Sequence, residues 1–298
     1  MTIIPNLRVL APFTLLLLCG ATFAGVIEQK VLDEGGSGTY KAIAATQESL
    51  PGYVVYRPVN LAQAVKAEGP LPAIVFANGG CNDTSFPFER MLSEIASHGY
   101  LVIALGAMQR RLDDRQLEKA DNAMMIRAVD WLAIQSASEQ SEFHHKVALD
   151  RIASAGQSCG GAQVLATASE PRFTTYLMFN SGIGDMTMAE ASRRSLSDLH
   201  APILYLLGGE TDVATANAQL DYQRIEHVPV VFANHLTAGH SGTFEQAYGG
   251  SFAALALMWL DWHLKDRKQF KSVFAEHKPE AFPDWELKAK SVASHVLP

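Results

Sequence analysis

From about residue 50 to residue 265 the chain sets short, unbroken apolar runs between longer segments whose apolar residues recur three or four apart. The unbroken runs predict strands buried on both faces, and the periodic segments predict amphipathic helices. Leu71–Ala77, Tyr100–Leu105, Ile152–Ala155 running into Gly156, Thr175–Asn180, Pro202–Leu207 and Val228–Ala233 are the predicted strands, the last two closing the series. Phe88–Ser97, with Met91, Leu92 and Ile95 at helical spacing, Leu117–Ile134 and Ser251–Leu264 are the predicted helices. Residues 26–58 predict edge strands, of which Gly52–Pro58 is the clearest. Strands that alternate with helices imply an α/β fold with a mostly parallel central sheet and helices on both faces. In such sheets a site forms outside the carboxyl ends of the strands, so polar residues just past a strand are the ones to weigh.

The first 24 residues follow a different pattern. Arg8 is their only charge, an apolar run from Val9 to Leu18 follows it, and Thr22-Phe23-Ala24 offers small residues at a cleavable bond. This predicts a secretory signal peptide over residues 1–24 and an exported domain over 25–298. The run, interrupted by Pro12, is short for a membrane span, which needs about 20 apolar residues. Cys19 raises a lipoprotein reading, against which the bulky Leu18 before it counts. No later apolar run could cross a bilayer. With 48% hydrophobic and 18% charged residues the remainder is globular, and no repeat or linker divides it. The net charge of −7, with no Lys/Arg cluster, leaves no nucleic-acid footprint.

The chemistry gathers at strand ends. Gly156-Gln157-Ser158-Cys159-Gly160 fits G-x-S-x-G, in which a sharp strand-to-helix turn exposes a serine. The same letters also describe an ordinary Gly-Ser turn, so the partners decide. A serine hydroxyl needs a base within hydrogen-bond reach and an acid to orient that base. After Leu206-Leu207 come Gly208-Gly209-Glu210-Thr211-Asp212; after Ala233 come Asn234-His235 and then Gly239-His240-Ser241-Gly242. The order Ser158, Asp212, His240 is the required one, with Glu210 competing for the acid and His235 for the base. The backbone N–H of Cys159 and, from the glycine-rich Asn78-Gly79-Gly80-Cys81 turn, that of Gly80 are candidate donors to an oxyanion, with Cys81 next. Asn82, Asp83, Trp131 and Phe244 are loose candidates for contacts with a substrate.

These residues carry a resemblance. Asn78-Gly79-Gly80-Cys81, Gly156-Gln157-Ser158-Cys159-Gly160, Gly208-Gly209-Glu210-Thr211-Asp212 and Gly239-His240 together resemble the α/β-hydrolases, in the uncapped branch near dienelactone hydrolases, platelet-activating-factor acetylhydrolases and bacterial polyester hydrolases. The resemblance spans roughly residues 50–265. Several members have His where this chain has Asn78, and dienelactone hydrolases use a cysteine where it has Ser158. The resemblance implies a serine hydrolase of small-molecule or polymer carboxylic esters, working through an acyl-enzyme with no metal or organic cofactor. An acyltransferase or peptidase with the same triad, or an inactive hydrolase-fold binding protein, are the rival readings. The short stretch from Ser181 to Met188, before an expected helix, leaves little room for a cap domain.

Once the leader is removed, Cys81 and Cys159 are the two cysteines left. If both donors face one oxygen, their Cα atoms come within the roughly 7 Å that a disulfide spans. A Cys81–Cys159 bridge pinning the oxyanion hole is the expectation, and two buried free thiols are the alternative.

Overall fold

The computed structural model describes residues 25–276 and 279–291. The leader expected over residues 1–24, Cys19 included, lies outside them. Strands β1 (Val26–Lys30), β2 (Ala42–Gln47) and β3 (Leu50–Pro58) form an antiparallel meander. Helix α1 (Leu61–Glu68), capped by the Asn60 side chain on the Gln63 amide, leads into β4 (Leu71–Ala77), and α2 (Glu89–Ser97) into β5 (Leu101–Leu105). Next come α3 (Ala123–Ala137), β6 (Val147–Gln157), α4 (Cys159–Ala166), β7 (Phe173–Phe179), β8 (Ile203–Leu207), α5 (Thr215–Arg224) and β9 (Val230–His235). The chain ends through α6 (Gly250–Lys265), α7 (Lys271–Ala275) and β10 (Trp285–Lys290).

The ten strands make one sheet in the order β1-β2-β3-β5-β4-β6-β7-β8-β9-β10. From β5 to β9 every neighbour is parallel, and β10 closes the far side antiparallel to β9. Alternate residues of β4 show why its run is unbroken. Ala73, Val75 and Ala77 join a core formed with α1, α3, α4 and α5, whereas Ile74 and Phe76 join a second core with α2 and α6. With both faces covered, neither set of positions can be polar. This is the α/β-hydrolase fold without a large cap, as the resemblance implied.

Four expectations need correction. Segment 52–58 is not at an edge: β3 lies between β2 and β5, and β1 takes the edge. The helix expected over 117–134 begins only at Ala123. Its first residues are drawn into an extended ladder, where the Glu118 amide donates to the Asp83 carboxylate, Lys119 bridges Asn82 and the Ala120 amide donates to the Cys81 carbonyl. The helix expected soon after Met188 is only a 3-10 turn, Arg193–Asp198. Finally, β9 is not the last strand. In β10, Trp285 and Leu287 face the α6 core while Glu286, Lys288 and Lys290 alternate with the apolar positions, a one-faced pattern that continuous apolar runs do not reveal.

Candidate active site

Strand β6 runs into Ser158, which sits at φ 52°, ψ −118° before α4 begins. A non-glycine residue held there stores roughly 1–3 kcal/mol of backbone strain. Strand β7, the loop after it and the first turn of α4 hold it: the Ser158 N–H donates to the Phe179 carbonyl (2.9 Å), and its carbonyl accepts from the Gly161 N–H (2.9 Å) and the Ser181 hydroxyl (2.8 Å). The flanking glycines follow from the tightness of the turn. A Cβ on Gly156 would lie 2.3 Å from the Gly160 carbonyl oxygen, and one on Gly160 would lie 2.2 Å from that of Ala77. No side chain fits where helix and strands cross that closely.

The loops after β8 and β9 bring the other two groups to this serine. His240 Nε2 is 3.0 Å from Ser158 Oγ, and His240 Nδ1 is 2.7 Å from Asp212 Oδ1. With Nδ1–H donating to the carboxylate, Nε2 is left to accept the serine proton. The imidazole is partly exposed and the carboxylate fully covered. Asp212 is nonetheless well provided for: Oδ1 also accepts from the Ala214 amide (3.0 Å), and Oδ2 from the Gly208 amide (2.9 Å) and the Asn180 carboxamide (2.7 Å). Burial alone pushes its carboxyl up, but hydrogen bonds from His240, Ala214, Asn180 and Gly208 outweigh it and hold the group below the usual carboxylate range. It is therefore an anion wherever the fold is intact near neutral pH.

The competing residues stay outside. Glu210 is exposed. His235 accepts from the Thr237 amide, stacks on Phe252 and meets Trp285 edge to face, and its burial pushes its pKa down. Of the looser candidates, Trp131 is a buried residue of α3 packed against Phe143, and Phe244 packs on Phe88, Phe179 and Phe252. Asp83 pairs with Arg115, and Asn82 accepts from Lys119, which also donates to the Gly80 carbonyl.

Cys81 and Cys159 form a disulfide, with Cα atoms 5.1 Å apart. It ties the turn after β4 to the first residue of α4, whose N–H has no intrahelical partner at that position. The Cys81 N–H is already committed to the Asn78 carbonyl (3.1 Å). Gly80, at φ 65° and exposed, precedes it. The Asn78 carboxamide donates to the carbonyls of Asn82 (2.9 Å) and Leu105 (2.6 Å), which fixes the turn from below.

A cleft of about 180 Å³ opens beside Ser158 and His240, walled by Ala162, Ile183, Met186, Met188, Val213 and Ala214. No phenylalanine, tyrosine or tryptophan and no carboxylate, lysine or arginine is among the described residues that line it. Asp221 on α5 accepts from the amides of Ile183 (2.7 Å) and Gly184 (2.9 Å) and so holds one wall. Burial pushes its carboxyl up to about 6, against the pull of those amides. A larger hollow of about 560 Å³, lined by Arg151, Phe173, His200 and His263 among others, lies at the opposite ends of the strands, away from Ser158. Among the described residues, no group of three or more His, Cys, Asp or Glu could hold a metal ion, and no helix is long and apolar enough to cross a membrane.

The sequence singles out neither Asn180 nor Gln157 for a role. Asn180 ends a predicted strand, the position at which a polar residue is worth weighing, and its place directly after β7 is the available signal. Gln157 is the variable residue inside G-x-S-x-G, and its carboxamide donates to the His240 carbonyl (3.0 Å), which nothing in the motif announces.

A family model described as PETase, PET hydrolase-like, matches residues 37–291, most of the chain. No curated protein matches it.

Proposed function

The chain belongs to the PET hydrolase-like family, an α/β-hydrolase family of polyester hydrolases acting on esters, and on that premise we propose that it is an exported serine esterase in which Ser158, His240 and Asp212 form the catalytic triad. The observation that carries this reading is the chain of contacts Ser158 Oγ, His240 Nε2, His240 Nδ1 and Asp212 Oδ1, at 3.0 and 2.7 Å. His240 takes the Ser158 proton as Oγ attacks the ester carbonyl, and Asp212 holds the imidazole and stabilises its charged form. The N–H groups of Gly80 and Cys159 receive the developing oxyanion, each worth about 2.7–4 kcal/mol of barrier. His240 then protonates the leaving alcohol, and water, activated the same way, releases the acid from Ser158. A fluorophosphonate probe tests the assignment: it is expected to label Ser158 in the folded protein, and labelling elsewhere or not at all would refute it.

The cleft supports short, uncharged aliphatic acyl groups. At about 180 Å³ it is small beside the roughly 300–1,000 Å³ of pockets that enclose larger ligands, and aliphatic and methionine side chains wall it. Each methylene buried there contributes about 0.8 kcal/mol. Along a ladder of p-nitrophenyl esters, kcat/KM is expected to rise over the short acyl chains and to level off before the long ones. A rise continuing to twelve carbons would show that the cleft does not hold the acyl group.

Export is part of the reading, supported by the leader pattern and by a disulfide that oxidising compartments preserve. Sequencing the protein from the medium or periplasm should give Gly25 as the first residue. Retention of Met1 would count against it.

A further inference from the structure

We propose that Asn180 is a positioning residue whose carboxamide locks the Asp212 carboxylate and the turn carrying His240 into one unit. The inference rests on the triad reading above and adds a fourth member to it. Asn180 is completely buried, one residue past β7. Its Nδ2 donates to Asp212 Oδ2 at 2.7 Å and to the Gly239 carbonyl at 3.0 Å. Both partners are acceptors, so only the NH2 end of the carboxamide can face them, and a carboxamide NH2 has two hydrogens, one for each.

The two partners belong to the loops that deliver the acid and the base. Gly239 directly precedes His240, and its own N–H donates to the Gly208 carbonyl at 2.7 Å. The Gly208 N–H in turn donates to Asp212 Oδ2 at 2.9 Å. Asn180 closes this ring from a third strand. With Oδ2 fixed by Gly208 and Asn180, the carboxylate cannot rotate, and Oδ1 stays aimed at His240 Nδ1. That is the oxygen which must meet positive charge when the imidazole takes the serine proton.

Two costs are borne for this arrangement. Asn180 sits at φ 43°, a conformation that Asn tolerates better than most residues, with its N–H donating to the Leu206 carbonyl at 2.7 Å. Its Oδ1 is buried with no hydrogen-bond partner among the described residues, which costs roughly 1–3 kcal/mol. A residue kept only for packing would not need a carboxamide with one end unsatisfied and the other shared between the acid and the base loop. Among the described residues, Asp212 and His240 are the titratable side chains that hydrogen bonding brings onto this ring.

The test uses the mature protein with Asn180→Gly, which keeps the positive φ without strain, and the isosteric Asn180→Asp. Active sites are counted with the fluorophosphonate, so misfolded protein does not enter the rate. Asn180→Gly is expected to lower kcat per titrated site by roughly ten- to a hundredfold, as misplaced catalytic groups do, with KM within about twofold of native. Asn180→Asp places a second carboxylate against the first, and the pair holds protons more tightly. The acidic limb of kcat/KM against pH is therefore expected to move upward, by about one unit. If Asn180→Gly does not fold, the Asn180→Asp profile decides alone. An unchanged kcat per site in Asn180→Gly, or an unmoved limb in Asn180→Asp, overturns the proposal. Turnover surviving in Ser158→Ala would instead refute the triad reading, a separate failure that native kinetics in Asn180→Gly would not produce.

Discussion

Replacing Ser158 with alanine is expected to reduce kcat for p-nitrophenyl acetate by roughly a millionfold, and replacing His240 with alanine by about as much. Nucleophile and base act as a unit, so losing either costs nearly what losing both does. Removing the acid alone, Asp212→Ala, should cost less, roughly 10⁴-fold. The fold should survive Ser158→Ala, because the strained turn already accommodates a Cβ and is held through the Ser158 backbone by Phe179, Gly161 and Ser181. Thermal melts should therefore coincide with native while turnover disappears. Glu210→Ala and His235→Ala supply the controls. Glu210 is exposed and His235 is packed between Phe252 and Trp285, so neither should lower kcat per active site by more than a few-fold. Full activity in Ser158→Ala, or a large loss in Glu210→Ala, would mean that the nucleophile or the acid lies elsewhere.

The difference between these residues is partly legible in the sequence. Ser158, Asp212 and His240 each follow an apolar run long enough to be a buried strand, and parallel strands must deliver their carboxyl ends to one edge. Glu210 and Asp212 share the same turn, and the choice between them depends on the direction of each side chain, which the Gly208-Gly209 backbone decides. Gln157 is opaque, and Asn180 is marked only by its place at a strand end, because hydrogen bonds between loops distant in sequence leave no periodic trace. The false helical start at Leu117 has a related cause. Residues 118–120 surrender their backbone groups to Asp83, Asn82 and Cys81, and local propensity says nothing about such a long-range ladder. Strand β10 escapes the apolar pattern because it lies at an edge with one dry face, so half of its residues are charged.

Opening the Cys81–Cys159 bridge is the second large effect expected, and it should appear in stability and in rate by different routes. The bridge closes a loop with a sequence separation of 78 residues, for which chain entropy gives about 4.5 kcal/mol of stabilisation. Cys81→Ser/Cys159→Ser should therefore melt lower, by roughly 9–18 °C at about 2–4 °C per kcal/mol. The rate effect follows from position. Cys159 carries one proposed oxyanion donor, and Cys81 adjoins Gly80, which carries the other. Without the bridge, the turn is still held by the Asn78 carboxamide on the Asn82 and Leu105 carbonyls and by the Ala120 amide on the Cys81 carbonyl. Both donors remain but are less well placed, so the loss should fall below the 10²- to 10³-fold seen when a donor is deleted. A drop in kcat of roughly tenfold, measured well below the melting temperature and with KM little changed, is expected. Reductant should act on the native protein in the same direction and leave the double-serine variant untouched. A lower melting temperature with an unchanged kcat would mean that the bridge only staples the fold. Both proposed donors would then be held in place by Asn78 and the 118–120 ladder without it.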